Sequence, residues 1–162
     1  MNITSYNIIL GSSSPRRKKI LSDMGLIFEV RVSQVNENFP ADLQGKEVSE
    51  FLAKLKSDNL IEDLKINDLL ITADTIVVNN NKILNKPLNS EEAKDMLLSI
   101  SGRTHKVISS VCLRNTDKCE VFSEETLVTF LNLSEDIISF YIDNYQPFDK
   151  AGSYGIQEWI GL

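Results

Sequence analysis

The chain has 162 residues, of which 42% are hydrophobic and 25% are charged, a composition typical of an ordinary folded domain. No apolar run approaches the roughly 20 residues of a membrane-spanning helix, and the net charge of −6 disfavours attraction to nucleic acid or to an anionic membrane. We therefore expect one cytoplasmic domain over residues 1–162, in which a local cluster of positive side chains binds any anion.

Strand and helix patterns alternate along the first half of the chain. A short apolar run ends at Gly11, and Ser14-Pro15 then supplies an N-cap and a proline at the first helical position. A continuous apolar run further along predicts a buried strand that stops at Asp74. The predicted segments are a strand at 7–10, a helix at 15–24, a strand at 28–32, a helix at 47–61 and a strand at 69–73.

The second half begins with a turn at 79–81 and a helix at 90–99, which Asn89 caps. Two β-rich runs follow at 104–113 and 120–131, and the short polar link between them predicts an antiparallel hairpin. A last helix at 135–142 begins after Ser134 and leads into a loop at 146–157. These patterns predict an α/β fold in which helices flank a mixed β-sheet.

The two cysteines, Cys112 and Cys119, lie on either side of the predicted hairpin turn and should face each other on paired strands. They form no CxxC pair, and no cluster of histidines accompanies them, which excludes the usual zinc and thioredoxin-like sites. A reducing cytoplasm favours two packed thiols over a disulfide. His105 alternates with apolar residues on a predicted strand, so we interpret it as structural.

A basic segment follows Gly11, at the predicted start of the first helix. Cations at a helix N-terminus oppose the helix dipole and cost a few tenths of a kcal/mol each when exposed. A bound anion reverses that sign, so the hydroxyls of Ser12 and Ser14, the free backbone N–H groups and Arg16 together suit a phosphate. The alternative is a solvated basic first turn. The GxxxxGK[ST] spacing of a P-loop is absent.

Asp74 is a second candidate, because a carboxylate at the end of a buried strand can hold a metal ion or act as a base. The alternative is an aspartate that caps a turn. Considered alone, Lys86-Pro87 is typical of a solvated lysine on a loop. The loop 149–157, considered alone, is typical of a connecting segment.

Taken together, these segments resemble the Maf proteins, the septum-formation-inhibitor-like nucleotide pyrophosphatases, in order and spacing along nearly the whole chain. The matching segments are Leu10-Gly11-Ser12-Ser13-Ser14-Pro15-Arg16-Arg17, Ala73-Asp74-Thr75, Lys86-Pro87, Glu91-Glu92-Ala93 with Met96-Leu97, Ser101-Gly102-Arg103-Thr104-His105 and Asp149-Lys150-Ala151-Gly152-Ser153-Tyr154-Gly155-Ile156-Gln157. The resemblance implies an ITPase-like mixed α/β fold. It also implies hydrolysis of nucleoside triphosphates to monophosphate and pyrophosphate with a divalent cation, Mg²⁺ or Mn²⁺.

The resemblance also implies a role for individual residues. Asp74 would accept a proton and bind the metal together with Glu37. Phosphate contacts would come from Ser12, Ser14, Arg16, Lys56 and Lys86. Thr75 and Gln157 would stand at specificity positions, and the form Tyr-Gly-Ile-Gln resembles the subgroup that acts on dTTP and UTP rather than on methylated GTP.

Some features depart from the family pattern or leave the function open. Thr72 and Asn85 stand where glycine is common, and the ending at Leu162 leads us to expect that the family's C-terminal segment is absent. A function of another class, a non-catalytic nucleotide-binding or cell-division regulatory protein, fits the same residues. A homodimer is one of the assemblies that the sequence allows.

Overall fold

The computed structural model of the protein describes residues 5–162 and confirms a mixed sheet flanked by helices. Its strands are β1 (Asn7–Leu10), β2 (Phe28–Val30), β3 (Asp68–Asn79), β4 (Lys82–Leu84), β5 (Thr104–Arg114) and β6 (Cys119–Thr129). Its α-helices are α1 (Pro15–Asp23), α2 (Lys46–Asp58), α3 (Ser90–Ile100) and α4 (Glu135–Tyr145). Within the described residues, no helix combines the length and the apolar character needed to cross a membrane.

The sheet contains both strand orientations. Its strand order is β2-β1-β3-β5-β6, with β4 paired to β3 outside this path. β1 runs parallel to both β2 and β3, whereas β4 is antiparallel to β3. The turn between β3 and β4 is made by Asn80 and Asn81, both with positive φ, which asparagine tolerates better than most residues. The predicted turn at 79–81 is therefore confirmed.

The main correction concerns β3, which does not stop at Asp74 but continues to Asn79. The residues after Asp74 include the buried Ile76, Val77 and Val78, whose branched side chains favour a strand. Because the Asp74 carboxylate is paired with a lysine, its charge does not force the chain out of the sheet. Asp74 therefore lies inside a strand, and not at the strand end where it was predicted.

The other predicted elements are present, with shifts of a few residues at their ends. α2 ends at Asp58 instead of residue 61, because a separate 3₁₀ turn covers Ile61–Asp63. α4 continues to Tyr145, three residues beyond its predicted end. The predicted loop at 146–157 contains two short 3₁₀ turns.

The chain forms two compact units that share long strands. The first unit comprises the chain up to Asp74 together with residues 109–124, and the second comprises residues 75–108 and 125–162. A buried cluster of Ile9, Leu60 and Leu70 lies in the first unit. The second has a larger core, formed by Val77, Leu84, Ala93, Leu97, Ile100, Phe130, Ile138, Tyr141, Ile142 and Tyr154. The interpretation of residues 1–162 as one domain stays a prediction.

Candidate functional site

The centre of the candidate site is an ion pair between α2 and β3 in the first unit. Lys56 lies in the last turn of α2, and its Nζ is 2.5 Å from Oδ1 of Asp74. Both side chains are largely buried, with exposed fractions of 12% and 9%. The Thr72 hydroxyl donates to the Ala53 carbonyl oxygen of α2 over 2.7 Å, which ties the helix to the strand one turn before Lys56. Thr72, noted as a departure from the usual glycine, thus has a local structural role.

Glu37 completes this cluster from the loop before α2. Its Oε1 lies 3.1 Å from Lys56 Nζ, so one ammonium group bridges two carboxylates. Burial is the main cause that raises the pKa of Asp74, and the negative charge of Glu37 adds to it, whereas the Lys56 ammonium opposes the change. A carboxylate whose pKa is raised is better suited to accept a proton near neutral pH. The structure therefore brings together three of the residues that the sequence proposed.

The two carboxylates fit a divalent cation of the Mg²⁺ or Mn²⁺ type. Asp74 and Glu37 offer hard oxygen ligands that already converge on one positive group. Residues 5–162 contain no cluster of three or more His, Cys, Asp or Glu side chains that could enclose a metal by themselves. This composition suits Mg²⁺, which is commonly bound by one or two carboxylates and completed by water and substrate phosphates.

The loop between β1 and α1 lies in the same unit and is held by hydrogen bonds to the Ser12 side chain. Ser12 is buried, and its Oγ accepts hydrogen bonds from the Ser14 backbone N–H and from Nη1 of Arg17. Gly11 is required here, since a Cβ at this position would lie 2.5 Å from Cγ2 of Thr72. Ser14 does stand at the N-cap of α1, as predicted, but its side chain makes no capping bond.

Arg17 is the residue of this loop region that sequence reasoning missed. Its Nη1 donates to the Ala73 carbonyl oxygen over 2.8 Å, next to Asp74 in β3. Burial lowers the pKa of Arg17, and the nearby carboxylates of Asp74 and Glu37 oppose that effect. Arg16 and Arg17 are adjacent in sequence, and no sequence pattern distinguished which of them enters the protein. The phosphate contact predicted for Arg16, in the first turn of α1, stays a prediction.

Three further predicted residues belong to the second unit. Thr75 directly follows Asp74 in β3 and is half-buried, Lys86 is exposed after β4, and Gln157 is exposed in the turn after Gly155. Their assignment to substrate binding stays a prediction.

The backbone on both sides of Gln157 is held by side chains of the second unit. The Tyr141 hydroxyl accepts a hydrogen bond from the Gly155 N–H and donates one to the Glu158 carboxylate. Tyr154 is buried and its hydroxyl lies 2.7 Å from Nε2 of His105. His105 is itself buried, which agrees with its structural interpretation. No sequence pattern pointed to Tyr141 or Glu158, because their pairing joins α4 to a residue 17 positions further along the chain.

Comparison with known proteins shows one consistent similarity. The family model described as "Maf-like protein" matches residues 7–162. A dTTP/UTP pyrophosphatase of Flavobacterium psychrophilum is 50% identical over 155 residues, covering 96% of this chain and 80% of that protein. A dTTP/UTP pyrophosphatase of Bacteroides thetaiotaomicron is 47% identical over 161 residues, covering 99% and 83%. Among solved structures, the Staphylococcus aureus Ham1 protein matches with a TM-score of 0.48 and 18% identity over 75% of this chain and 70% of that chain.

Proposed function

The chain belongs to the Maf family, and from this premise we propose that it hydrolyses nucleoside triphosphates, with dTTP and UTP as preferred substrates, to the monophosphate and pyrophosphate. The observation that carries the proposal is the cluster in which the largely buried Lys56 bridges the buried Asp74 and the more exposed Glu37. The names of relatives that are 44–50% identical support the same reaction. We also propose that the protein acts in the cytoplasm.

Asp74 is the proton acceptor in the proposed mechanism. Cleavage between the α- and β-phosphates requires a water molecule to attack phosphorus in line and to lose a proton as it does so. The raised pKa of the Asp74 carboxylate favours that transfer. A divalent cation held by Asp74 and Glu37 would supply positive charge to the phosphate oxygens.

The triphosphate is neutralised by side chains on several elements. Lys56 exchanges a carboxylate partner for a phosphate oxygen when nucleotide binds, and Arg16 and Lys86 add further positive charge. Ser12, Ser14 and the N–H groups at the start of α1 donate hydrogen bonds to phosphate oxygens. Arg17 holds Ser12 and the backbone before Asp74 in place.

Gln157 selects the base in this proposal, with Thr75 as a second specificity position. The amide oxygen of Gln157 accepts a hydrogen bond from N3–H of uracil or thymine, and its NH₂ donates to a neighbouring carbonyl. A purine presents a different arrangement of donors and acceptors. The bonds of Tyr141 to Gly155 and Glu158 support this choice, because they restrain the backbone around Gln157.

A pyrophosphate-release assay over a panel of nucleoside triphosphates tests the proposal. We expect pyrophosphate and monophosphate from dTTP and UTP, with Mg²⁺ or Mn²⁺ present, and much less from purine nucleotides. Release of orthophosphate with a nucleoside diphosphate would contradict the assigned bond. A nucleotide-dependent rise in melting temperature without any product would favour the regulatory alternative, because binding alone stabilises the folded state.

A further inference from the structure

The two cysteines form a close pair that the proposed function does not use. The Sγ atoms of Cys112 and Cys119 lie 3.4 Å apart, and both residues are free thiols. Cys112 is buried, whereas Cys119, the first residue of β6, is exposed. A disulfide bond is about 2.05 Å long, so the sulfur atoms need to approach by little more than 1 Å to be joined.

A buried arginine lies against the exposed sulfur. Nη2 of Arg114 is 3.1 Å from Sγ of Cys119 and 2.5 Å from Oδ1 of Asp58, and only 7% of the arginine side chain is exposed. A guanidinium beside a sulfur stabilises the thiolate, which is the nucleophilic form of cysteine. Burial raises the pKa of the Cys112 thiol, which keeps that partner protonated. The pair therefore combines an accessible sulfur, which contacts a guanidinium, with a protected thiol that touches it.

We propose that Cys119 is a peroxide-reactive site whose oxidised form is resolved by Cys112 as an intramolecular disulfide. The Cys119 thiolate attacks one oxygen of hydrogen peroxide; the S–O bond forms, the O–O bond breaks and hydroxide leaves. Cys112 then loses its proton and attacks the Cys119 sulfur, so that the S–S bond forms and the sulfenic oxygen leaves as water. In total, two thiols and one peroxide give one disulfide and two waters. Disulfides of this transient kind occur in reducing compartments.

Thiol titration and intact mass measure the reaction directly, because Cys112 and Cys119 are the only two cysteines of the sequence. With one equivalent of hydrogen peroxide, we expect both thiols to disappear while the monomer mass falls by about 2 Da, and dithiothreitol to restore them. Two thiols that persist, or disulfides only between chains, would overturn the proposal.

Variants separate the two roles. Cys112→Ser leaves Cys119 without its partner, so a dimedone adduct should accumulate on Cys119. Cys119→Ser should leave the buried Cys112 thiol unreacted over the same period. Reaction of Cys112 first would reverse the assignment and overturn it. These results do not depend on the proposed hydrolase activity, and each variant is checked by its far-UV spectrum for folding.

A third comparison tests the arginine. Arg114→Gln should slow thiol loss about threefold or more, since the Cys119 thiolate loses its cation. Lys118→Gln is the matched control, because it removes one positive charge from the same hairpin turn. Equal rates for wild type and Arg114→Gln, or equal slowing in both variants, would show that the contact with Arg114 does not activate Cys119.

Discussion

The most informative residue is Lys56, because its ammonium group pairs with two carboxylates at once. Lys56 and Asp74 are both largely buried, and a buried charge that loses its partner is strongly destabilising. Burial nevertheless leaves the pKa of Asp74 above its ordinary value, so the charged form of this residue is held at a cost in stability. The ion pair with Lys56 therefore holds the Asp74 carboxylate in the site, and the same ammonium group can bind a phosphate oxygen.

Replacing the proposed base separates catalysis from stability. We expect Asp74→Asn to lower kcat by about 10²–10⁴-fold while nucleotide binding is largely retained. The melting temperature of the free protein should change little, since Lys56 keeps Glu37 as a partner and burial, which raises the pKa of Asp74, disfavours the charged carboxylate. Steady-state kinetics and thermal melts measure both effects, with Asp117→Asn in the exposed turn as control. If the variant kept more than about a tenth of the parental kcat, Asp74 would not be the base.

Removing the bridging lysine should change metal binding and nucleotide binding in opposite directions. Lys56→Met leaves Asp74 and Glu37 without their shared cation, so Mn²⁺ should raise its melting temperature more than that of wild type. The KM for the triphosphate should rise. Lys54→Met is the control, because Lys54 lies on the same helix and makes an exposed pair with Asp58. Equal Mn²⁺ shifts in wild type and Lys56→Met would contradict a cation site between the two carboxylates.

The adjacent arginines should respond differently to truncation. Arg17→Ala removes charged hydrogen bonds to Ser12 and to the Ala73 carbonyl oxygen, and should destabilise the free protein by about 2 kcal/mol. Arg16→Ala should weaken triphosphate binding and destabilise the free protein much less than Arg17→Ala, since a cation opposes the dipole at the start of α1. Urea unfolding and nucleotide titration of both variants measure this difference. Clear destabilisation by Arg16→Ala would identify Arg16 as a structural ion-pairing residue.

At the scale of elements, β5 and the loop that follows α4 meet at a buried histidine. The ring of His105 stacks on Phe130, and its Nε2 lies 2.7 Å from the Tyr154 hydroxyl. Burial lowers the pKa of His105, and no described residue hydrogen-bonds its Nδ1. Burial therefore favours a neutral imidazole where Tyr154 packs against β5.

Stability should consequently decline as the pH falls below 6.5, the ordinary pKa of histidine. The unfolded chain then binds a proton that folded His105 resists, so wild type loses up to about 1.4 kcal/mol per pH unit from this residue. His105→Gln should show a smaller loss between pH 7.5 and 5.5 in urea unfolding. Tyr154→Phe is the control, because it keeps the titrating histidine, the only one in the sequence. Equal pH dependence in wild type and His105→Gln would exclude this residue as the cause.

At the scale of the whole molecule, β3 passes without interruption from the first compact unit into the second. We expect this continuity to make the chain unfold as one domain. Trp159, the only tryptophan, reports on the second unit, whereas far-UV circular dichroism reports on all helices and strands. The two urea transitions should coincide, and a saturating pyrimidine triphosphate should shift both equally. Separate midpoints would show that the units unfold independently.

Elements whose signals are local could be predicted from the amino-acid sequence. The cap of α3 is one example, since Asn89 accepts from the Glu92 N–H three residues later. The turn at Asn80 and Asn81 is another example, because asparagine tolerates a positive φ better than most residue types do. Capping, turn chemistry and helical periodicity act over a few neighbouring residues, so they can be identified from the chain alone. The resemblance to a family identified Glu37, Lys56 and Asp74 as candidate site residues. It did not indicate that the three side chains contact one another.

How these positions act together depends on contacts between residues that are distant in sequence. The continuation of β3 past Asp74 depends on Lys56, which is 18 residues away in sequence and neutralises a charge that would otherwise be buried alone. The inward direction of Arg17 depends on a carbonyl group 56 residues away. Such pairings are set by the close approach of helix and strand, and by the free energy of burying charge, which no local pattern encodes.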